Sequence, residues 1–243
     1  MKTCLIKQPA GIGDIFLCQK IAKFCINEMG CEVVWPLLPQ IMWIKDYIVV
    51  PGLFFVDERT AFPYKDLYNS HIATVYHTEE VLYIPLQSAD QLFPGELILN
   101  AKYTLVGMNL SDWAEYFTYR RDMEKEEHLF YDILKIKEGE PYSLVNKMYG
   151  TPPTQRLLDI SVDTGDRLIM IELFDGVSVF DWCLTLTRAS SIHFVDSCYS
   201  LVMESLKLEN NINLYSRTNR PHTPSYSQTR HLFSSPVWNW VQL

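Results

Sequence analysis

The first 36 residues alternate between an apolar run, a glycine loop, a helical pattern and a second apolar run. Cys4–Ile6 predicts a short buried strand, and Ile15–Glu28 carries apolar side chains at helical spacing. Gly30 follows where a helix C-cap belongs, and Glu32–Trp35 predicts a second strand that ends at Pro36. Strand, loop, helix and strand in this order open a doubly wound α/β fold.

The same alternation starts again after a polar linker at Ile136–Pro141. Ahead of the linker, Ser111–Leu134 is the longest stretch predicted to be helical. We therefore expect two compact Rossmann-like domains, residues 1–137 and residues 138–243, the second with a C-terminal tail from Ser216. We expect the apolar end of that tail, Val237–Val241, to pack back onto the body because two tryptophans are costly to leave in water. Further strands are predicted at Phe54–Val56, Val81–Ile84, Tyr142–Val145, Leu168–Ile171, Ile192–Val195 and Ile212–Tyr215, and further helices at Pro39–Tyr47, Val179–Ala189 and Tyr199–Leu208.

Composition argues against several classes of protein. With 21 basic and 29 acidic residues the chain carries a formal charge of -8, which disfavours nucleic-acid binding. Its six cysteines form no CxxC pair, and no Cys/His cluster has metal-ligand spacing, so we expect reduced thiols and no metal site. No window reaches the roughly 20 apolar residues that span a bilayer, so we expect a cytoplasmic protein without a transmembrane segment, which leaves room for a peripheral membrane contact.

The first candidate site is the loop Gly11-Ile12-Gly13-Asp14, between the first strand and the first helix. It lacks the dinucleotide fingerprint because Phe16 takes the place of the third glycine, and no acid ends the second strand to hold a ribose. A nicotinamide-dependent oxidoreductase is therefore disfavoured. Asp14 lies at the carboxyl end of a strand, where it either caps the helix or acts on a ligand.

The second candidate site is the segment Ser191–Leu208, in which a strand ends at Asp196 and Ser197 and a helix begins near Cys198. Backbone N–H groups at such a helix start can hold a phosphate, and the Asp196 carboxylate can accept hydrogen bonds from sugar hydroxyls or cap the helix. His193 lies inside a strand and is interpreted as a core histidine with its hydrogen bonds satisfied.

Both segments resemble the heptosyltransferase-like glycosyltransferases. The opening KQPAGIGDIFLCQKIAKF is similar to that family's strand, small glycine loop ending in Gly-Asp, and helix. Ser178–Leu208 is similar to the family's donor-site segment, in which Asp-Ser/Thr-Gly stands between a strand and a helix. The two matches stand in the family's order, one in each half of the chain. They imply a GT-B fold of two Rossmann-like domains that face a cleft.

The resemblance also implies an activity and residue roles. Asp14 would be the general base in the Gly11–Gly13 loop of an acceptor domain, Asp196 would bind the donor sugar, and Ser197 and Cys198 would approach its diphosphate. The implied reaction is an inverting transfer of a sugar from a nucleotide sugar to a hydroxyl of a glycan or glycolipid, without a metal or another cofactor.

Two further points concern the donor site. The diphosphate needs a basic partner; Lys147, after the first strand of the second half, is the first candidate and Arg156 the next. Cys198-Tyr199 replaces the family's usual Gly-Pro or Gly-Leu, and Ser200 replaces a frequent histidine. These departures leave open an alternative, a non-catalytic GT-B-like module for binding or assembly.

Overall fold

The structure is a computed structural model that describes residues 1–150, 155–216, 230–233 and 237–241. The chain divides into two compact units, Met1–Arg120 and Arg121–Leu243. Each unit is built around its own five-stranded sheet, which confirms the expected α/β class. The greater part of the basic tail after Ser216, and residues 151–154, lie outside the described residues.

The first unit contains a mostly parallel sheet in the order β3-β2-β1-β5-β4, in which β4 alone is antiparallel to its neighbour. The strand order reverses between β1 and β5, because the chain builds outward from β1 to one side and then returns to its other side. Its elements are β1 (Lys2–Ile6), α1 (Ile12–Leu17), α2 (Gln19–Asn27), β2 (Cys31–Leu37), a 3₁₀ helix (Pro39–Asp46), β3 (Leu53–Asp57), α3 (Lys65–Tyr68), β4 (Tyr76–His77), β5 (Val81–Ile84), a 3₁₀ turn (Leu86–Ser88), α4 (Ala89–Leu92), α5 (Ile98–Leu105) and α6 (Trp113–Tyr116).

The second unit contains a fully parallel sheet in the order β12-β11-β10-β6-β9, with its reversal between β6 and β10. A small antiparallel pair, β7 with β8, follows β6. The elements are α7 (Met123–Glu127), a π-helical turn (His128–Ile133), β6 (Tyr142–Asn146), β7 (Met148–Tyr149), β8 (Arg156–Leu157), β9 (Arg167–Met170), a 3₁₀ helix (Val179–Trp182), α8 (Cys183–Arg188), β10 (Ser191–Val195), α9 (Cys198–Leu206), β11 (Asn211–Tyr215), a 3₁₀ turn (Arg230–Leu232) and β12 (Trp238–Val241).

The prediction that Pro36 ends the second strand is wrong. β2 continues to Leu37, and Pro36 lies opposite Val56 of β3. On the other side, β2 pairs with β1 only as far as Val34. The proline therefore stands beyond the part of β2 that has neighbours on both sides, where a missing N–H is easiest to accommodate.

The prediction of a continuous helix over Ser111–Leu134 is also wrong, because the chain leaves helical geometry at Phe117. The Phe117 ring is buried and stacks on Phe16 at 4.7 Å between centroids, and the Arg120 N–H donates to the Tyr47 carbonyl at 2.7 Å. Packing of one aromatic side chain thus overrides the helical pattern of the local sequence.

That break moves the boundary between the units from the predicted position after residue 137 to Arg120. The π-helical turn buries Leu129 and Phe130, and the Phe130 ring meets Tyr142 of β6 at 6.0 Å. The Arg188 guanidinium lies 5.3 Å from the centre of the Phe130 ring. Residues 121–137 therefore complete the core of the second unit and are not an end of the first.

The apolar end of the tail packs back as expected. Trp238–Val241 forms β12 beside β11, and the buried Trp238 donates its indole N–H to Glu204 of α9 at 2.7 Å. The Phe233 ring covers Trp238 with 4.5 Å between centroids. This strand closes one edge of the second sheet.

Candidate active site

Both candidate segments lie at the reversal of strand order in their own sheet. The Gly11–Asp14 loop follows β1, which borders the β1/β5 reversal, and Asp196 follows β10, which borders the β6/β10 reversal. In open α/β sheets, ligands bind outside the carboxyl ends of the strands at this point. The two loops therefore occupy the position at which each unit is expected to bind a ligand.

Asp14 does not cap the helix that follows the loop. Gly11 takes the N-cap position with φ of 82° and Asp14 lies in the first turn of α1, where the helix dipole favours its negative charge. A Cβ on Gly11 would collide with Oδ2 of Asp14, so glycine is needed both for the left-handed backbone and for the space above it. Gly13 lies within α1.

The partner of Asp14 is a lysine that sequence reasoning missed. Lys102 of α5 donates from Nζ to Oδ1 of Asp14 at 2.6 Å. The lysine side chain is 1% exposed and the aspartate side chain 26% exposed. A buried ammonium is costly unless it is paired, so Lys102 is held by Asp14, while Asp14 remains open to a ligand. In the sequence, Lys102 is the one charged residue of the segment ILNAKYTL, whose other side chains are uncharged. That pattern could have indicated a buried lysine with a partner.

The interior behind this ion pair is neutral. Cys18 is fully buried, and burial raises the pKa of its thiol to about 12, so it carries no charge at neutral pH. The Tyr103 hydroxyl donates to the Leu17 carbonyl at 2.6 Å, which ties α5 to the end of α1. These neighbours fix α5, and with it Lys102, against the loop that carries Asp14.

In the second unit, Ser197 rather than Asp196 caps the helix. The Ser197 and Ser200 side chains form a reciprocal capping box at the start of α9, and the Ser200 hydroxyl also donates to the Ser197 carbonyl at 2.6 Å. Asp196 is 7% exposed, and its backbone N–H donates to the Tyr215 carbonyl at 3.1 Å. Its carboxylate is therefore not needed as the cap of α9.

A buried asparagine that sequence reasoning also missed ties the two loops of this reversal together. Asn146, the last residue of β6, is fully buried and donates from Nδ2 to the Ser197 hydroxyl and to the Met148 carbonyl, both at 3.2 Å. Its Oδ1 accepts from the Met148 N–H at 3.0 Å. The loop that carries Lys147 is therefore fixed to the start of α9.

The predicted basic residues lie along this loop. Lys147 directly follows β6 and is partly exposed, and Arg156 is exposed on β8 opposite Tyr149. Within the described parts of the chain, neither side chain forms an ion pair. In the first unit, by contrast, burial lowers the pKa of Lys7, and its ammonium donates to the Tyr68 carbonyl at 2.5 Å.

The residues that depart from the family pattern are accommodated by packing. Tyr199 meets Phe194 with 5.7 Å between ring centroids, and burial raises the pKa of its hydroxyl well above the usual value. Cys198 is partly exposed, whereas the other five cysteines are buried. The Tyr199 side chain is thus partly buried against Phe194.

His193 has both ring nitrogens hydrogen-bonded, as interpreted from the sequence, but it is partly buried and not a core residue. Its Nδ1 lies 3.1 Å from the Tyr215 hydroxyl and its Nε2 lies 3.2 Å from the Ser191 hydroxyl. Burial lowers its pKa, which favours the neutral ring. Both ring nitrogens are therefore engaged in structural contacts.

The described residues contain no group of three or more His, Cys, Asp or Glu side chains arranged to hold a metal ion. No helix within the described ranges is both long enough and apolar enough to cross a bilayer.

The chain is similar to known proteins in structure and not in sequence. No protein-family model matches the chain, and no curated protein matches it. The glycosyl transferase family 9 structure from Veillonella parvula DSM 2008 is similar over 100% of this chain and 86% of its own, with a TM-score of 0.53 and 9% identity. The dodecameric iron-containing heptosyltransferase TibC, from enterotoxigenic E. coli H10407 and in complex with ADP-D-beta-D-heptose, is similar over 98% of this chain, with a TM-score of 0.55 and 12% identity.

The chain has the heptosyltransferase-like GT-B fold. It spans 63% of the TibC chain. At 9% and 12% identity the likeness concerns the fold, so what the chain does must be argued from its own residues.

Proposed function

We propose that the protein is an inverting, metal-independent glycosyltransferase that moves a sugar from a nucleotide sugar to a hydroxyl of a glycan or glycolipid. The observation that carries the proposal is the Asp14 carboxylate. It lies at the strand-order reversal of the first sheet, it is one-quarter exposed, and a buried lysine holds it by one oxygen. A general base needs this combination of a fixed position and access to the hydroxyl that it deprotonates.

In the proposed step one bond forms, one bond breaks and one proton is transferred. The acceptor oxygen attacks the anomeric carbon of the donor from the face opposite the leaving group, and the bond from that carbon to the diphosphate oxygen breaks. The diphosphate leaves with the electron pair, and the acceptor proton moves to Oδ2 of Asp14. The configuration at the anomeric carbon is inverted.

We place the donor on the second unit. Asp196 would bind sugar hydroxyls, and Ser197 and Cys198 at the start of α9, with Lys147 and Arg156 on the loop after β6, would approach the diphosphate. Lys147 is partly exposed and Arg156 exposed, and neither forms an ion pair within the described residues, which supports this role. TibC, of the same fold, holds ADP-D-beta-D-heptose.

A panel of nucleoside diphosphates in EDTA tests the donor site. At a hundredfold excess over its dissociation constant, a bound nucleotide is expected to stabilise the protein by about 2.7 kcal/mol, read as a higher melting temperature. Asp196→Ala should weaken binding of the matching nucleotide sugar, whereas Asp175→Ala, which removes an exposed carboxylate of the same unit, should not. Stabilisation that is lost in EDTA would contradict metal independence.

One observation favours a second candidate function, that of a non-catalytic module for binding or assembly. The Ser200 hydroxyl accepts from the Ser197 N–H at 3.1 Å, and the Ser197 hydroxyl accepts from the Ser200 N–H, so backbone donors that a phosphate would otherwise meet are already engaged. If no nucleoside diphosphate and no nucleotide sugar stabilises the protein, the module is the better description.

Gly11→Ala tests whether the loop under Asp14 serves catalysis. A side chain at φ of 82° is expected to cost roughly 1–2 kcal/mol of folding stability, and its Cβ would push Oδ2 of Asp14 aside. Gly30→Ala is the matched control, since Gly30 has φ of 63° and open space at its Cβ. Gly11→Ala should lose at least as much stability as Gly30→Ala, because its Cβ also displaces Asp14, and nucleoside diphosphate release from nucleotide sugars should fall in Gly11→Ala alone. Equal release by the two variants would contradict the role of the loop.

A further inference from the structure

We propose that Lys102 is a positioning residue that holds one oxygen of Asp14 so that the other is presented to the acceptor hydroxyl. The inference rests on the proposed function and adds a residue to it. Lys102 lies 88 positions from Asp14 in the chain and is itself too buried to touch a substrate. It would therefore act through Asp14.

The geometry supplies two constraints on the Asp14 side chain. Oδ1 accepts from Nζ of Lys102 at 2.6 Å, and Oδ2 lies directly over Gly11, in space that a Cβ at that position would occupy. Among the residues that the structure describes, Lys102 provides the one hydrogen bond to this carboxylate. Lys102 thus engages one oxygen, and Oδ2 accepts no hydrogen bond from the described residues, so it keeps its capacity to accept a proton.

Stability alone is a poor explanation of this ion pair. Replacing a buried pair by apolar residues of similar size is often neutral or stabilising, so a folding requirement would be met as well by a methionine. Lys102 also has a structural counterpart in Lys20, which is 7% exposed and pairs with Asp112. Lys20 donates in addition to the Asn109 carbonyl at 2.5 Å and thereby ties α2 to the segment before α6. Lys102 makes no second hydrogen bond of this kind within the described residues, and its contact ends at the candidate base.

The test compares Lys102→Met with Lys20→Met. Both remove a buried ammonium and keep an unbranched apolar chain, and Lys20→Met also loses the hydrogen bond to Asn109, so it should disturb folding at least as much as Lys102→Met. In a crystal structure of Lys102→Met, Asp14 is expected to leave its position over Gly11. With nucleotide sugars as the probe, kcat for nucleoside diphosphate release should fall by about 10- to 100-fold, with the donor KM nearly unchanged. Lys20→Met should retain the parent kcat.

Lys102→Gln provides a second variant if Lys102→Met does not fold, because its amide still donates to Oδ1. Its kcat is expected to lie between those of Lys102→Met and the parent protein. An Asp14 side chain unmoved in the Lys102→Met crystal, or an equal loss of kcat in Lys20→Met, would overturn the positioning role. Absence of nucleoside diphosphate release by the parent protein from every nucleotide sugar would instead count against the proposed function, and the crystal structure would still decide the position of Asp14.

Discussion

Asp14→Asn is expected to lower kcat by about 10²- to 10⁴-fold while the dissociation constant of the donor stays close to that of the parent protein. The amide keeps the size of the side chain and an oxygen that accepts from Lys102, but it cannot take a proton from the acceptor hydroxyl. The donor is placed on the other unit, so its affinity should not depend on this charge. Nucleoside diphosphate release and calorimetric titration with the nucleotide sugar measure the two quantities separately.

Asp66→Asn is the matched control for this rate effect. Asp66 is an exposed carboxylate in the first turn of α3, just as Asp14 lies in the first turn of α1. Both substitutions remove one negative charge from the start of a helix, so their effects through the helix dipole should be similar. A kcat unchanged in Asp14→Asn, or lowered equally in Asp66→Asn, would remove Asp14 as the base.

Sequence reasoning located both candidate loops because the information is local. A strand followed by glycines, an acid and a helical pattern can be recognised within about 20 residues, and the structure has β1, the Gly11 turn and α1 in that order. Likewise, Asp196 and Ser197 stand between β10 and α9 as predicted. In a parallel sheet, the end of a strand is where a ligand binds, so placing a residue there already indicates a site.

The partners of these residues could not be predicted, because they come from distant parts of the chain. Lys102 is 88 residues from Asp14, and Asn146 is 51 residues from Ser197. Which strands become neighbours decides both contacts, and the strand order is set by the packing of the whole unit rather than by any local pattern. The helix predicted over Ser111–Leu134 failed for a related reason, since the Phe117 contact with Phe16 joins segments about 100 positions apart.

The ion pair also predicts a large effect on folding that is separate from catalysis. Asp14→Ala leaves the Lys102 ammonium buried without its carboxylate, which is expected to cost about 3–5 kcal/mol of unfolding free energy. In the double variant Asp14→Ala/Lys102→Met the stranded charge is gone, so most of this stability should return. Hydrogen exchange followed by mass spectrometry can assign the loss to peptides of residues 1–120 and show whether residues 121–243 are unaffected.

Asp112→Ala sets the scale for this comparison, because it removes the partner of the other buried lysine in the same unit. In Asp112→Ala, Lys20 keeps its hydrogen bond to the Asn109 carbonyl, and the Asp112 side chain is already 40% exposed. The loss of unfolding free energy should therefore be well below that of Asp14→Ala. If the double variant is no more stable than Asp14→Ala, the cost does not arise from an unpaired lysine. In that case the 2.6 Å contact would not be what holds the charge of Lys102 in the interior, and the argument that Lys102 orients Asp14 would lose its physical basis.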